Sequence, residues 1–270
     1  MQGQPGRLWT WRRRVAYRLL ARPEHTPWDA SAGESAPVRL DFPDLDIWLR
    51  ATSAAERRWR IRACAKEPWT VRWIQDSIQR GEVLYDIGAN VGAFSLIAAL
   101  SRGASVVAFE PGYANFARLC ENIQLNACGA AIVPVPLPLS DASGLVTFTY
   151  RSVEPGQSRH ALGQTADMGV APGAAYVQPV CATTLDAAVS DFKLPAPHHL
   201  KIDVDGSELR VLKGGATVLR SPQLRTVLIE SDASVWDALA TEFTRAGFTL
   251  QARHERPRKQ DAPAYAVWAR

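Results

Sequence analysis

Acids, an asparagine and glycines sit at the ends of short apolar runs in this chain, where an α/β fold exposes such residues to a ligand. The first such run is "VLYDIGANVGAFSLIAAL", residues 83–100. In Asp86-Ile-Gly88-Ala-Asn90-Val-Gly92, Gly88 permits a tight turn, Asn90 tolerates an unusual backbone conformation and can cap the next helix, and Gly92 lets a helix or ligand come close. The stretch lacks the Gly-x-Gly-x-x-Gly spacing that cradles a pyrophosphate. Asp86 would repel a phosphate and favours a positively charged ligand. S-adenosylmethionine, with its ammonium and sulfonium, is such a ligand. Taken alone, the same residues also make an ordinary strand-to-helix turn.

A second run, "SVVAFEP", ends in Glu110, 22 residues after Gly88. At that distance an acid on the tip of the next strand can accept hydrogen bonds from both ribose hydroxyls of a nucleoside. Asp141, in "LPLSDASG", either accepts from an adenine amino group or serves as a turn residue. In "HHLKIDVDGSELRVLKGG" (198–215), an extended chain puts Lys201, Asp203 and Asp205 on one side. Asp205-Gly-Ser-Glu208 fits a capping box, which gives those two carboxylates a structural duty. Asp203 has none, so it is the candidate for orienting or deprotonating an acceptor substrate, with Lys201 shaping its charge. The stretch 151–176 is long for a connector and carries Ser158, Arg159 and His160. His160 is either a contact to the acceptor and, like Asp203, a candidate to remove the acceptor's proton, or a solvated loop histidine.

The elements that must position these residues follow from periodicity. Apolar runs predict strands at 83–87, 105–109, 131–137, 199–203 and 225–230, alternating with helices at 91–102, 113–127, 207–219 and 234–246. Two further strands, 248–253 and 264–269, have no helix between them and so form an antiparallel hairpin. A parallel sheet closed by such a hairpin is the architecture of class I S-adenosylmethionine-dependent methyltransferases, with strand order 3-2-1-4-5-7-6. Prolines at 134, 136 and 138 remove the amide donors from one side of the third strand, which assigns it to a sheet edge. Upstream, Leu45 to Arg80 shows helical spacing, with Trp59, Ile61, Trp69, Trp73, Ile74 and Ile78 as buried positions. The resulting divisions are a basic tail and irregular connector (1–44), a helical cover (45–80) and the main domain (81–270).

Four stretches in this order, "EPWTVRWIQDSIQRGEVLYDIGANVGAFSLIAA", "VVAFEPGYANFARLCENIQLN", "LPLSDASGLVTF" and "LKIDVDGSELRVLKGGATVLRSPQLRTVLIESD", resemble the FkbM family of methyltransferases over residues 67–232. The resemblance implies a Rossmann-like α/β domain that uses S-adenosylmethionine, generally to methylate hydroxyls of sugars, polyketides or related molecules. It implies that Gly88, Asn90, Gly92, Glu110 and Asp141 lie along the cofactor. Lys201, Asp203 and Glu208 fall in the family's "KIDVEGAE" element, where this chain has Asp205 for the usual Glu and Ser207 for the common Ala.

The 270 residues, 47% hydrophobic and 21% charged, are those of a globular protein, and no apolar stretch is long enough to span a membrane. The formal charge of +4 is concentrated in the tail, where Arg7, Arg12, Arg13, Arg14, Arg18 and Arg22 all precede the first acid, Glu24. That tail also carries Trp9, Trp11 and Tyr17, so it reads as a solvated extension or as a segment that rests on an anionic membrane surface. Four cysteines show neither zinc-site spacing nor a CxxC pair, which fits reduced thiols in a cytoplasmic protein. No metal site is expected: there is no His/Cys cluster, and Asp203 with Asp205 alone would bind weakly. The expected partner is a small-molecule or glycan acceptor and not nucleic acid. The rival readings are a non-catalytic binding module on the same fold and a nicotinamide-dependent oxidoreductase. The second of these would want the missing glycine spacing.

Overall fold

The computed structural model describes residues 36–163, 173–255 and 263–270. The basic tail, with its proposed membrane contact, lies outside the described residues, as do parts of the 151–176 loop and of the loop between the last two strands.

The chain opens with a short hairpin, β1 (Val38–Arg39) and β2 (Trp48–Leu49), followed by a π-helical turn at Glu56–Arg60 and helices α1 (Ala63–Lys66) and α2 (Pro68–Ser77). Next come β3 (Val83–Ile87), α3 (Ala93–Arg102), β4 (Ser105–Phe109), α4 (Tyr113–Leu125) and β5 (Ile132–Val135). An intervening segment makes β6 (Leu139–Ser140), β7 (Gly144–Tyr150), β8 (Ala161–Leu162), β9 (Tyr176–Thr184) and α5 (Leu185–Ser190). The chain then completes the main layer with β10 (His199–Ile202), α6 (Glu208–Lys213), α7 (Ala216–Arg220), β11 (Thr226–Ser231), α8 (Trp236–Arg245), β12 (Thr249–Glu255) and β13 (Ala264–Ala269).

Seven strands form the main sheet in the order β12-β13-β11-β10-β3-β4-β5; only β13 and its neighbours run antiparallel. Numbered by their place in the chain, from the β5 edge, they run 3-2-1-4-5-7-6. Every residue of β3 is buried, as a central parallel strand covered on both faces requires. The proline-bearing β5 lies at the edge, where its missing amide donors cost nothing. One face packs against α2 and α3 through Ile74, Leu96 and Ile97, and the other against α6 and α8 through Leu212, Leu239 and Phe243. Each of these fully buried side chains contributes roughly 1.5–3 kcal/mol.

At the end of the sheet where β10 begins, His199 lies between Glu82 (2.8 Å) and Thr226 (2.8 Å), and Trp73 Nε1 donates to Thr226 Oγ1 at 3.0 Å. Burial lowers the pKa of His199 against the opposing pull of Glu82, so the ring is held neutral.

The structure corrects the sequence expectations in four places. Residues 45–80 are not continuously helical, because β2 pairs with β1 and the π-turn at Glu56–Arg60 breaks the regular spacing before α1. Trp59, expected in the core, is 46% exposed. The helix expected over 207–219 is broken in two at Gly214-Gly215. A four-stranded sheet, β6-β9-β7-β8, adds to the expected elements; its strands are hard to see in the sequence, since β6 and β8 are only two residues long and β9 contains Pro179. The four cysteines are free thiols.

Candidate active site

The ends of β3, β4, β10 and β11 open into a cavity of about 530 Å³, a size typical of small-molecule sites. Strand ends contribute Gly88, Asn90, Glu110, Asp203 and Glu230; the stretch 156–160 contributes the whole of its length, including His160; and the N-terminal cover contributes Trp59, Arg60 and Lys66.

The glycine turn is explained by close packing as much as by ligand contact. Gly88 has φ +83°, and a Cβ there would stand 2.0 Å from the Asp203 carbonyl oxygen. Gly92 has φ +88°, and its missing Cβ makes room for Leu119 of α4 rather than for a ligand. Asn90 takes the left-handed conformation (φ 52°), its Oδ1 accepting the Val91 N–H at 3.0 Å.

Glu110 is nearly inaccessible, yet its Oε2 accepts the Asn90 N–H and its Oε1 the Gly112 N–H, each at 2.8 Å. A carboxylate offers about four acceptor positions, so with a further hydrogen bond from the Asn115 side chain Glu110 keeps one for a ribose hydroxyl. Burial pushes the Glu110 pKa up to about 7, the two amide bonds notwithstanding. Gly88, Asn90 and Glu110 therefore fit the glycine-turn and ribose contacts of a nucleoside cofactor. Of the six residues expected along such a cofactor, these three line the cavity.

Asp86 does not line it. It is buried, its Oδ1 lies 3.1 Å from Lys201 Nζ, and its Oδ2 accepts the Ser95 hydroxyl at 2.6 Å. The register of the parallel pair β3 and β10 sets Lys201 directly beside Asp86. Asp141 is also diverted. Its side chain is 45% exposed and pairs with Arg210 at 3.0 Å, which lowers its pKa, while Arg210 also holds the Leu162 and Gly163 carbonyls. Asp141 is not among the cavity-lining residues, and its carboxylate ties the bend after β6 to α6. Gly92 and Lys201 likewise act from behind the cavity wall.

Lys201 also reaches Asp203 at 3.3 Å and is fully buried between the two carboxylates. Burial alone would lower its pKa, but Asp86 and then Asp203 raise it. Asp203 lines the cavity with a side chain 29% exposed. Burial would raise its pKa, yet Lys201 and a hydrogen bond with Glu230 hold it well below the ordinary carboxylate range. Ile202 pairs with Ile229 across β10 and β11, so Asp203 and Glu230 stand abreast at the strand ends. Glu230 is absent from the residues singled out in the sequence, although an acid ends its strand as Glu110 ends β4.

Residues 155–160 of the long loop are held down as a strap. Ser53 Oγ donates to the Pro155 carbonyl (2.6 Å), Arg60 Nε to that of Gly156 (2.7 Å), and Asn90 Nδ2 and Asn115 Nδ2 to that of Gln157 (2.8 and 3.1 Å). The Arg159 N–H donates to Asp205, which is thereby a tether rather than a helix cap, whereas Glu208 does reach back to the Gly206 N–H at 3.0 Å. His160 Nδ1 accepts the Arg151 N–H at 3.4 Å, which leaves the ring proton on Nε2. The ring packs against Phe148 and Tyr150, and burial, followed by the Arg60 charge, lowers its pKa and keeps it neutral. Among the described residues no group of three or more His, Cys, Asp and Glu side chains is placed to hold a metal ion.

The family model of the Methyltransferase FkbM domain matches residues 86–250. A hexuronic acid methyltransferase, AglP, of Haloferax volcanii is 30% identical over 182 residues, which cover 67% of this chain and 69% of that protein. Among solved structures, an FkbM methyltransferase of Methylobacillus flagellatus KT aligns with a TM-score of 0.47 and 14% identity, over 80% of this chain and 56% of the other. A precorrin-6y C5,15-methyltransferase of Geobacter metallireducens GS-15 also gives a TM-score of 0.47, at 11% identity over 82% and 93% of the two chains.

Proposed function

Since the chain belongs to the FkbM methyltransferase family and its cofactor is S-adenosylmethionine, we propose that it methylates a hydroxyl of a sugar, free or within a glycan. The observation that carries this reading is the Asp203 carboxylate, set 3.3 Å from the buried Lys201 ammonium and in the same cavity as Glu110 and Asn90. That the relative from Haloferax volcanii is a hexuronic acid methyltransferase supports a sugar as acceptor.

When bound, the cofactor supplies an activated methyl group on a sulfonium. Asn90 and Glu110 hold its nucleoside portion, and Gly88 lets the chain close beneath it. Asp203 accepts a hydrogen bond from the acceptor hydroxyl, aims an oxygen lone pair along the line of transfer, and takes the proton as the new carbon–oxygen bond forms. A carboxylate held below its ordinary pKa is a weak base, but the hydroxyl proton becomes strongly acidic as its oxygen gains the methyl group. His160, neutral and carrying its proton on Nε2, donates to another acceptor oxygen. Holding nucleophile and methyl group in line contributes on the order of 7–11 kcal/mol to lowering the barrier. No helix among the described residues is long and apolar enough to cross a membrane. A cytoplasmic enzyme whose basic tail touches an anionic membrane surface fits this reading.

The test is to incubate the protein with S-adenosylmethionine and a panel of neutral and acidic sugars, scoring S-adenosylhomocysteine and products heavier by one methyl group. Asp203→Asn should reduce turnover at saturating cofactor by about 10²–10⁴ and weaken, without abolishing, cofactor binding. Cofactor binding with no methylated sugar would sink the proposal.

A further inference from the structure

The cover residues Glu56-Arg-Arg-Trp-Arg60 wind as a π-helical turn, with the Ile61 N–H donating to the Glu56 carbonyl five residues back at 3.1 Å. Such turns insert a residue and re-aim the side chains beyond them, and they cluster at functional sites. This one is firmly anchored. Glu56 is wholly buried, pairs with Arg118 of α4 at 2.6 Å, and accepts the N–H groups of Thr52 and Ser53. The consequence is that Trp59 and Arg60 both line the cavity.

Arg60 donates through Nε to the Gly156 carbonyl, and no ion pair joins its guanidinium to a carboxylate among the described residues. The acids that share the cavity are already engaged. Glu110 takes two backbone amides, Asp203 takes Lys201 and Glu230, and Asp205 takes the Arg159 N–H. They feel Arg60 as a longer-range charge. Of the other cations, Lys66 is tied to Glu67 at 2.8 Å, whereas the exposed Arg151 and Arg159 lie on the strap and line the same cavity. A guanidinium with its terminal nitrogens open presents the planar fork that matches a carboxylate in a bidentate fashion.

We propose that Arg60, with Arg151 and Arg159 beside it, is the receptor of this cavity for a ligand carboxylate. Two carboxylates answer to that chemistry. One belongs to the methionine portion of the cofactor. The other belongs to an acidic sugar acceptor, an arm that rests on the sugar reading above. Arg60 precedes the family-matched residues 86–250, whereas Arg151 and Arg159 fall within them, so in the second case acceptor choice is shared between the cover and the methyltransferase domain.

Titration calorimetry on the full chain and on Arg60→Gln, with four probes, separates the sources. The probes are S-adenosylmethionine, its decarboxylated form, methyl β-D-glucuronide and methyl β-D-glucoside. In one pair, Arg60→Gln should weaken the carboxylate-bearing member about tenfold or more and leave its carboxylate-free counterpart unchanged. Loss within the cofactor pair identifies the methionine carboxylate, and loss within the sugar pair identifies the acceptor. If neither sugar binds the wild type while the cofactor pair responds, the sugar reading fails and the Arg60 assignment stands. Binding of all four probes as in the wild type, or equal losses with and without the carboxylate, overturns it. Should Arg60→Gln melt below the wild type, Arg60→Lys, which keeps the charge but not the fork, is read instead. A several-fold loss confined to one carboxylate-bearing probe is then expected, and no loss overturns the assignment.

Discussion

Glu110 should couple cofactor affinity to pH, at little net cost to folding when it is neutralised. Its pKa rises from an ordinary 4.5 to about 7 because the side chain is buried, a difference of ~3 kcal/mol between the two protonation states. The sign comes from the direction of the shift. A carboxyl whose folded pKa is raised binds its proton more tightly in the folded state, so its favourable contribution is complete below about 4.5 and is lost as pH rises through about 7. Glu110→Gln relieves that loss at pH 8. It also turns an amide NH₂ toward one of the two backbone N–H donors, Asn90 or Gly112, at a cost of ~1–3 kcal/mol. The two effects oppose each other, so urea denaturation at pH 8 should show a change within about 2 kcal/mol. Cofactor affinity behaves differently. With two backbone amides and the Asn115 side chain already bonded to it, an ionised Glu110 keeps one position for a ribose hydroxyl, and the protonated form loses that position. Calorimetry on the wild type should show affinity on a plateau above about pH 7 and falling toward a tenfold loss per pH unit below it, while Glu110→Gln should be weak and flat. A wild-type affinity constant from pH 6 to 8, or a variant that unfolds by more than about 3 kcal/mol, would refute the reasoning.

The buried charges give two further outcomes. Lys201→Met leaves Asp86 and Asp203 facing each other without their shared cation, and should cost ~3–5 kcal/mol in a denaturant titration; a loss under about 1 kcal/mol contradicts the buried geometry. At the other end of the sheet, His199 is kept neutral by burial, so the unfolded chain takes up a proton below about pH 6.5 that the folded chain refuses. Stability should therefore fall as pH drops from 7 to 5, and His199→Gln should flatten that part of the profile in melting experiments.

The features legible in the sequence are those that depend on neighbours along the chain. The strands flanking Asp86-Ile-Gly88-Ala-Asn90 and the acid ending "SVVAFE" declare themselves through apolar runs and turn chemistry, and both Asn90 and Glu110 lie in the cavity. The prolines of β5 give its edge position for the same local reason. The features hidden in the sequence depend on neighbours across the sheet or between layers. Lys201 is 115 residues from Asp86, and only the register of β3 with β10 reveals that each neutralises the other. Glu230 requires the adjacency of β10 and β11. Regular helical spacing places Trp59 in the core, but the π-turn inserts a residue that breaks that spacing and brings Trp59 with Arg60 to the cavity.

The choice of a cationic cofactor over a pyrophosphate also has a different physical origin from the one its first motif suggests. Asp86 is a single charge beside a buried ammonium, so its field largely cancels with that of Lys201. The ion-paired group of Asp86, Lys201 and Asp203 still carries one net negative charge, and Asp203 is its member that opens on the cavity. Glu110, its pKa pushed up to about 7, adds a second that is partly ionised at neutral pH. At an effective dielectric of about 20, one unit charge 4 Å from another is worth about 4 kcal/mol. A phosphate would meet that repulsion at Asp203, whereas a sulfonium would be drawn by it. On this reading selectivity belongs to the ends of β4, β10 and β11 acting together, and replacing Asp86 with an apolar residue should leave the buried Lys201 with Asp203 as its one carboxylate and destabilise the sheet before it changes the preferred ligand.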